Sequence, residues 1–197
     1  MKIRVVGFDP STTSFGVCRA MVDTETLEVT GVELQLHKTE NEAKKGVIKT
    51  SDDIRRAREI VEAARAAITD AAIVISEIPL GTASLHNNAI LNSGVMIGIL
   101  ASIDAPIIQV QPADVKIAAV GHRHACKEEM IDWAIGKHPE APWLMRKLKG
   151  KLYPIKDNEH LADALAVIYA GMRTQQFKQA LNLYKAIQTS TSILEAA

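Results

Sequence analysis

The segment Lys2-Ile3-Arg4-Val5-Val6-Gly7-Phe8-Asp9-Pro10-Ser11 runs β-branched and aromatic residues into a carboxylate and a proline turn. Such a run reads as a strand with little polar surface, and Pro10-Ser11-Thr12-Thr13-Ser14 as the turn that ends it. A carboxylate at the end of a buried strand is costly unless something compensates it. Glu77 repeats the arrangement at the end of Ala72-Ile73-Val74-Ile75-Ser76, and His160 and Asp163 lie one helical turn apart in an amphipathic stretch. Side chains three apart share a helix face, so the latter two can converge on the strand ends. A divalent cation is the usual compensator of oxygen-rich groups, which makes Asp9, Glu77, His160 and Asp163 the candidate metal ligands.

Outward from the first strand, the periodicity is that of an α/β domain. Phe15 to Val22 and Leu27 to Leu36 read as second and third strands joined by short connections, an antiparallel meander. After a polar stretch, Ser51-Asp52-Asp53 supplies an N-cap, and Ile54, Ala57, Ile60, Val61, Ala64 and Ile68 continue at helical spacing. Residues 72–78 form a fourth strand, parallel to the first if that helix is a right-handed crossover. Residues 85–103 read as a helix whose Gly94 and Gly98 admit a close neighbour, expected to be its own sheet; 106–110 read as a fifth strand. Helices follow over 112–120 and 125–137, then a long basic loop over 138–157, a helix capped by Asp157-Asn158, and a tail helix over 175–187.

A chain of 197 residues with 47% hydrophobic and 23% charged residues suits one domain with one substantial core. The N-terminus lacks a signal-peptide pattern, and the most apolar stretch, 95–103, is far short of a membrane span, so a cytoplasmic location is expected, in a bacterial cell or a phage-infected host. Cys18 and Cys126 have no CxxC partners and read as reduced thiols. Formal net charge is zero, yet residues 51–110 hold four Lys/Arg against seven Asp/Glu, whereas 111–156 hold nine against five. That basic excess lies between the Glu77 strand and the His160 helix, where it could meet phosphates.

Gly7-Phe8-Asp9-Pro10-Ser11 with Gly16-Val17, Ile75-Ser76-Glu77, Val115-Lys116 with Gly121 and Lys127, and His160-Leu161-Ala162-Asp163-Ala164-Leu165-Ala166 follow the order and spacing of RuvC-type Holliday junction resolvases. The chain resembles that family over nearly its whole length. The resemblance implies an RNase H-like fold, a five-stranded mixed sheet flanked by helices. It implies a homodimeric, structure-specific endonuclease that resolves branched DNA by paired nicks, leaving 5′-phosphate and 3′-hydroxyl ends. Asp9 would bridge two Mg²⁺ ions, Mn²⁺ being able to substitute, with Glu77, His160 and Asp163 as further ligands and no small-molecule cofactor. Lys116 and Lys127 match the lysines that the family places near the scissile phosphate. The helix over 85–103 matches its dimer interface.

Departures from the pattern are equally specific. Ser11 stands where the family has Gly, offering a hydroxyl to a phosphate or to the backbone. Leu80 replaces an aromatic that stacks on an unpaired base, and leucine can wedge but stacks poorly. The loop over 138–157, with Trp143, Arg146, Lys147, Lys149 and Lys151, makes the chain more similar to phage- or virus-type relatives. With Ser11, Leu80 and Arg123, its four cations are the candidate DNA contacts. His122, His124 and Cys126 lack the convergent set that a closed zinc site needs, and His37, His86 and His138 read as surface or loop residues. Asp157 and Glu159 are candidate caps or supports beside the site helix. Two other readings stay open: a branched-DNA-binding protein that does not cleave, and a nucleotide-binding domain, since Asp9-Pro10-Ser11-Thr12-Thr13 with Gly16 also resembles the phosphate hairpin of the actin and Hsp70 superfamily.

Overall fold

A computed structural model of the chain describes residues 1–42, 48–78 and 87–195. Strands β1 (Lys2–Asp9), β2 (Ser14–Asp23) and β3 (Val29–Lys38) form an antiparallel meander. Helix α1 (Lys49–Ile68) crosses to β4 (Ile73–Glu77), which pairs in parallel with β1, and α2 (Asn87–Ala101) crosses to β5 (Ile107–Val110), parallel to β4. The sheet order β3-β2-β1-β4-β5 is the mixed five-stranded arrangement expected, with β1 at its centre.

Alternation along β1 assigns its two faces. Val6 and Phe8 join Phe15, Val17 and Val74 against Ile60 and Ala64 of α1 and Met96 and Ile99 of α2. Ile3 and Val5 face the other way, with Cys18, Ala20 and Ile75, onto α5 (Asn158–Met172). Helix α5 is apolar nearly all round because it is sandwiched: sheet on one side, α3 (Pro112–Ala119) and α4 (Lys127–Lys137) on the other, contributing Val115, Ala118, Met130 and Ala134. Among the described residues no helix is long and apolar enough to cross a membrane.

Several local expectations are corrected. The basic loop over 138–157 contains a hairpin, β6 (Met145–Leu148) paired with β7 (Lys151–Pro154), separate from the main sheet. Helix α1 begins before Ser51; its N-cap is Ile48 without a side-chain bond, and Asp52 is buried, accepting from Arg55 Nη2 at 2.7 Å. Asp157 does not cap α5 through its side chain; it pairs with Lys38 instead. Asn158 is fully buried and bonds the backbone of Leu144 from both ends of its amide, at 2.9 and 2.8 Å. His138 is also buried, with Nε2 2.8 Å from the Tyr169 hydroxyl and Nδ1 3.1 Å from Glu140. The tail helix α6 extends over Gln175–Glu195. A Cβ on Gly94 or Gly98 would meet nothing within 4 Å, so these glycines of α2 face open space and not the sheet.

Candidate active site

Asp9 closes β1 and Glu77 closes β4, two strands that run side by side with Phe8 opposite Ser76. Counting in twos from Ile3, Val5 and Gly7, and from Ile73 and Ile75, puts Asp9 and Glu77 on the sheet face covered by α5. Both therefore point towards the start of the helix that carries His160 and Asp163. Close packing makes the meeting possible. A Cβ on Gly7 would lie 2.3 Å from the carbonyl oxygen of Ala164, and one on Gly16 only 2.2 Å from that of His160. Any larger residue at either position would lift α5 off the sheet and separate the helix acids from the strand acids.

His160 donates from Nδ1 to Asp9 Oδ2 at 2.8 Å. Burial raises the Asp9 pKa, with the bond to His160 working against it, while that same bond lifts the imidazole above its ordinary value despite partial burial. Burial, then the charges of Asp9 and Asp163, push Glu77 up to about 8; burial and Asp9 push Asp163 up to about 7. Lys116 opposes both rises. Glu77 and Asp163 thus hold protons near neutrality, and Asp9 is shifted in the same direction, because nothing on the protein neutralises these carboxyls fully.

That is the donor chemistry a hard divalent cation fits: three carboxylates and an imidazole, each carboxyl gaining most from added positive charge. Asp9, Glu77, Asp163 and His160 are the groups that could hold it. Among the described residues no three His, Cys, Asp or Glu side chains lie close enough together to cage a metal ion as they stand, although Asp9 and His160 are in direct contact.

Both predicted lysines reach the cluster electrostatically. Lys116 on α3 acts on Glu77 and Asp163, and Lys127, the first residue of α4, acts on Asp9. Lys127 Nζ pairs with Glu159 Oε2 at 2.8 Å, and Glu159 Oε1 lies 3.5 Å from His160 Nε2. Glu159 is thus a linker between lysine and imidazole, a role its sequence position beside His160 only hinted at.

Of the candidate DNA contacts, Ser11 turns its hydroxyl inward, accepting from Thr13 N at 3.3 Å and Ser14 N at 3.4 Å, which rigidifies the β1–β2 turn. Arg123, Arg146, Lys147, Lys149 and Lys151 are all exposed, while Trp143 is buried and donates to the His138 carbonyl at 2.7 Å. Leu80 and His86 lie outside the described residues. The sequence reading missed Arg56: buried on α1, it donates to the Thr12 carbonyl at 2.6 Å and to Thr39 Oγ1 at 2.9 Å, holding the turn that follows Asp9. The available signal was a cation four residues before Ile60 and eight before Ala64, on the apolar stripe of α1.

The crossover junction endodeoxyribonuclease RuvC of Prochlorococcus marinus is 28% identical over 140 residues, covering 66% of this chain and 80% of that protein. This chain is similar to RuvC in sequence. Structural similarity agrees: Thermus thermophilus RuvC in complex with a Holliday junction substrate superposes with a TM-score of 0.58 at 22% identity, covering 85% of this chain and 92% of that one. A second RuvC structure from the same organism gives 0.53 at 21% identity, with the same coverage. No family model matches the sequence. The fold shared with RuvC is the mixed five-stranded sheet with flanking helices, and in this chain Asp9 and Glu77 stand at the ends of the adjacent parallel strands β1 and β4.

Proposed function

We propose that this chain is a metal-dependent endonuclease that resolves Holliday junctions and related branched DNA. The observation that carries the reading is the convergence of Asp9, Glu77, His160 and Asp163, with Lys116 and Lys127 beside them, in a chain whose sequence relative is a crossover junction endodeoxyribonuclease. Asp9, whose charge acts on both Glu77 and Asp163, would hold Mg²⁺ together with them, and the imidazole of His160 would also accept Mn²⁺. When bound, the metal supplies Lewis acidity to the phosphate and lowers the pKa of an attacking water. The remaining work falls to the protein. Asp9, Glu77, Asp163 and His160 would hold the metal, and their burial beneath α5 restricts solvent around them. Lys116 and Lys127 set positive charge against the phosphate oxygens as negative charge builds, with Glu159 holding Lys127 in place. Products would be a 5′-phosphate and a 3′-hydroxyl.

Paired nicks in opposed strands of a two-fold-symmetric junction call for a two-fold dimer. On α2, Ile90, Leu91 and Ile97 are 52%, 48% and 53% exposed, and Gly94 and Gly98 open to the same solvent, which suits a helix waiting for its symmetry mate. Substituting Asp9→Asn tests the cleavage reading. Junction binding should survive while cleavage falls by at least about a thousandfold; surviving cleavage would remove Asp9 from the metal site.

A further inference from the structure

Hairpin β6–β7 stands apart from the main sheet, and all eight of its strand residues are exposed. Residues 144–156 contain five Lys/Arg and no Asp/Glu, in a chain whose net charge is zero. Cross-strand pairing sets Arg146 opposite Tyr153, Lys147 opposite Leu152 and Leu148 opposite Lys151. Opposed residues share a face and successive ones alternate. One face therefore presents Arg146, Leu148, Lys151 and Tyr153, and the other Met145, Lys147, Leu152 and Pro154. Neither face is a polar outside matched to an apolar inside. Each carries cations beside a bare apolar residue, with Leu148 52% and Leu152 68% exposed.

The turn points the same way. Lys149 and Gly150 both take positive φ, +48° and +81°, as a tight two-residue hairpin turn requires. Asn-Gly would satisfy that turn more cheaply than Lys-Gly, so a charge is held at the tip against backbone preference.

The base of the hairpin is tied to the site. Ile155 N donates to the Leu144 carbonyl at 3.1 Å, and buried Asn158, the first residue of α5, bonds Leu144 N and O. Two residues further along α5 stands His160. A four-residue ribbon projects roughly 13 Å beyond this anchor, at an offset from Asp9 and His160 that the Asn158 clamp sets.

We infer that the β6–β7 hairpin is a DNA-gripping ribbon that recognises the branch point, its cations on the two flanking phosphate backbones and Leu148 and Leu152 in the opening between them. The inference rests on the nuclease reading above and deepens it by assigning the source of branch preference. A two-stranded ribbon has the width to enter a DNA groove or the space between diverging arms, where both of its faces meet phosphates. A second copy of this chain is a poorer occupant, because hairpins placed together would set cation against cation. Exposed leucines beside cations suit a place where bases are already unstacked.

The test uses the Asp9→Asn protein, expected to bind without cutting, titrated with a four-way junction and with linear duplex over a range of salt. Replacing Arg146, Lys147, Lys149 and Lys151 together by Ala should flatten the slope of log affinity against log salt by about 3.6 if each meets a duplex phosphate. Leu148→Ser with Leu152→Ser should lower junction affinity roughly tenfold and leave duplex affinity unchanged. Lys149→Asn, a better turn residue with one charge fewer, should weaken junction binding although it relieves the turn. An unchanged salt slope in the fourfold variant, or equal loss on junction and duplex in the leucine variant, would overturn the inference. So would sedimentation showing that the leucine variant loses self-association, because the hairpin would then be a protein contact. If the Asp9→Asn protein bound no junction at all, the nuclease reading itself would fall. If it bound normally and the hairpin variants did likewise, only the ribbon would.

Discussion

Replacing Glu77 by Gln should stabilise the metal-free protein at alkaline pH while destroying its response to metal. Burial and the charges of Asp9 and Asp163 push Glu77 from 4.5 to about 8. Between those values the folded protein binds a proton that the unfolded chain releases. The stability tied to this group is therefore fully present below about pH 4.5 and is lost as the pH rises through about 8. Each tenfold change in proton affinity is worth about 1.4 kcal/mol, so the rise sets a ceiling of about 5 kcal/mol on the loss. Glu77 shares its repulsion with two neighbours, so we expect roughly 1–3 kcal/mol in practice. Urea unfolding in EDTA from about pH 5 to 9 reads it directly. Wild type should lose stability across the range and Glu77→Gln should lose less, the two curves meeting near pH 5 and separating by roughly 1–3 kcal/mol near pH 9. His160 and Asp163 are also raised and contribute in the same direction in both proteins, so the difference reports Glu77 together with its repulsion of Asp9 and Asp163. Added Mg²⁺ should restore wild type at high pH and do little for the variant. A wild-type curve that rises with pH, or a variant less stable than wild type near pH 9, would refute the assignment of Glu77 to an uncompensated acidic cluster.

Three further outcomes follow from the packing. Gly16→Ala places a methyl 2.2 Å from the His160 carbonyl oxygen and should cost about 3 kcal/mol or more in urea unfolding, with cleavage lost through displacement of α5. Asn158→Ala leaves half-buried Leu144 N without its partner, while the Leu144 carbonyl keeps Ile155 N, and should cost about 1–2 kcal/mol, with hydrogen exchange accelerated at the base of the hairpin. Lys116→Ala removes the cation that restrains Glu77 and Asp163. The pKa of both should rise, readable by NMR titration, and single-turnover cleavage should slow by about a hundredfold.

The sheet order was legible because β1 and β4 are apolar on both faces and end abruptly in acids, and because the spacing of α1 demands a crossover. Asp9 and Glu77 were legible for the same reason: a carboxylate interrupting a buried strand is costly and visible. Hairpin β6–β7 was not, since neither of its faces is buried and its residues lack the alternation that marks a strand against a core. Capping by Asp157 was expected from residue type alone, but Lys38 from β3 reaches the same carboxylate across the fold. His138 read as a surface or loop residue and Asn158 as a helix cap because their partners, Tyr169 and the Leu144 backbone, are brought near only by tertiary packing. Arg56 escaped notice because its partners belong to the turn after β1 and to Thr39, and neither is near it in sequence.

The most direct measurement is cleavage of labelled four-way junction and linear duplex of matched sequence by the full chain, with Mg²⁺, beside the Asp9→Asn variant. Symmetric nicks in the junction, little cutting of the duplex and none by the variant are expected. Equal cutting of duplex and junction would contradict junction resolution, and cutting by the Asp9→Asn protein would contradict the site.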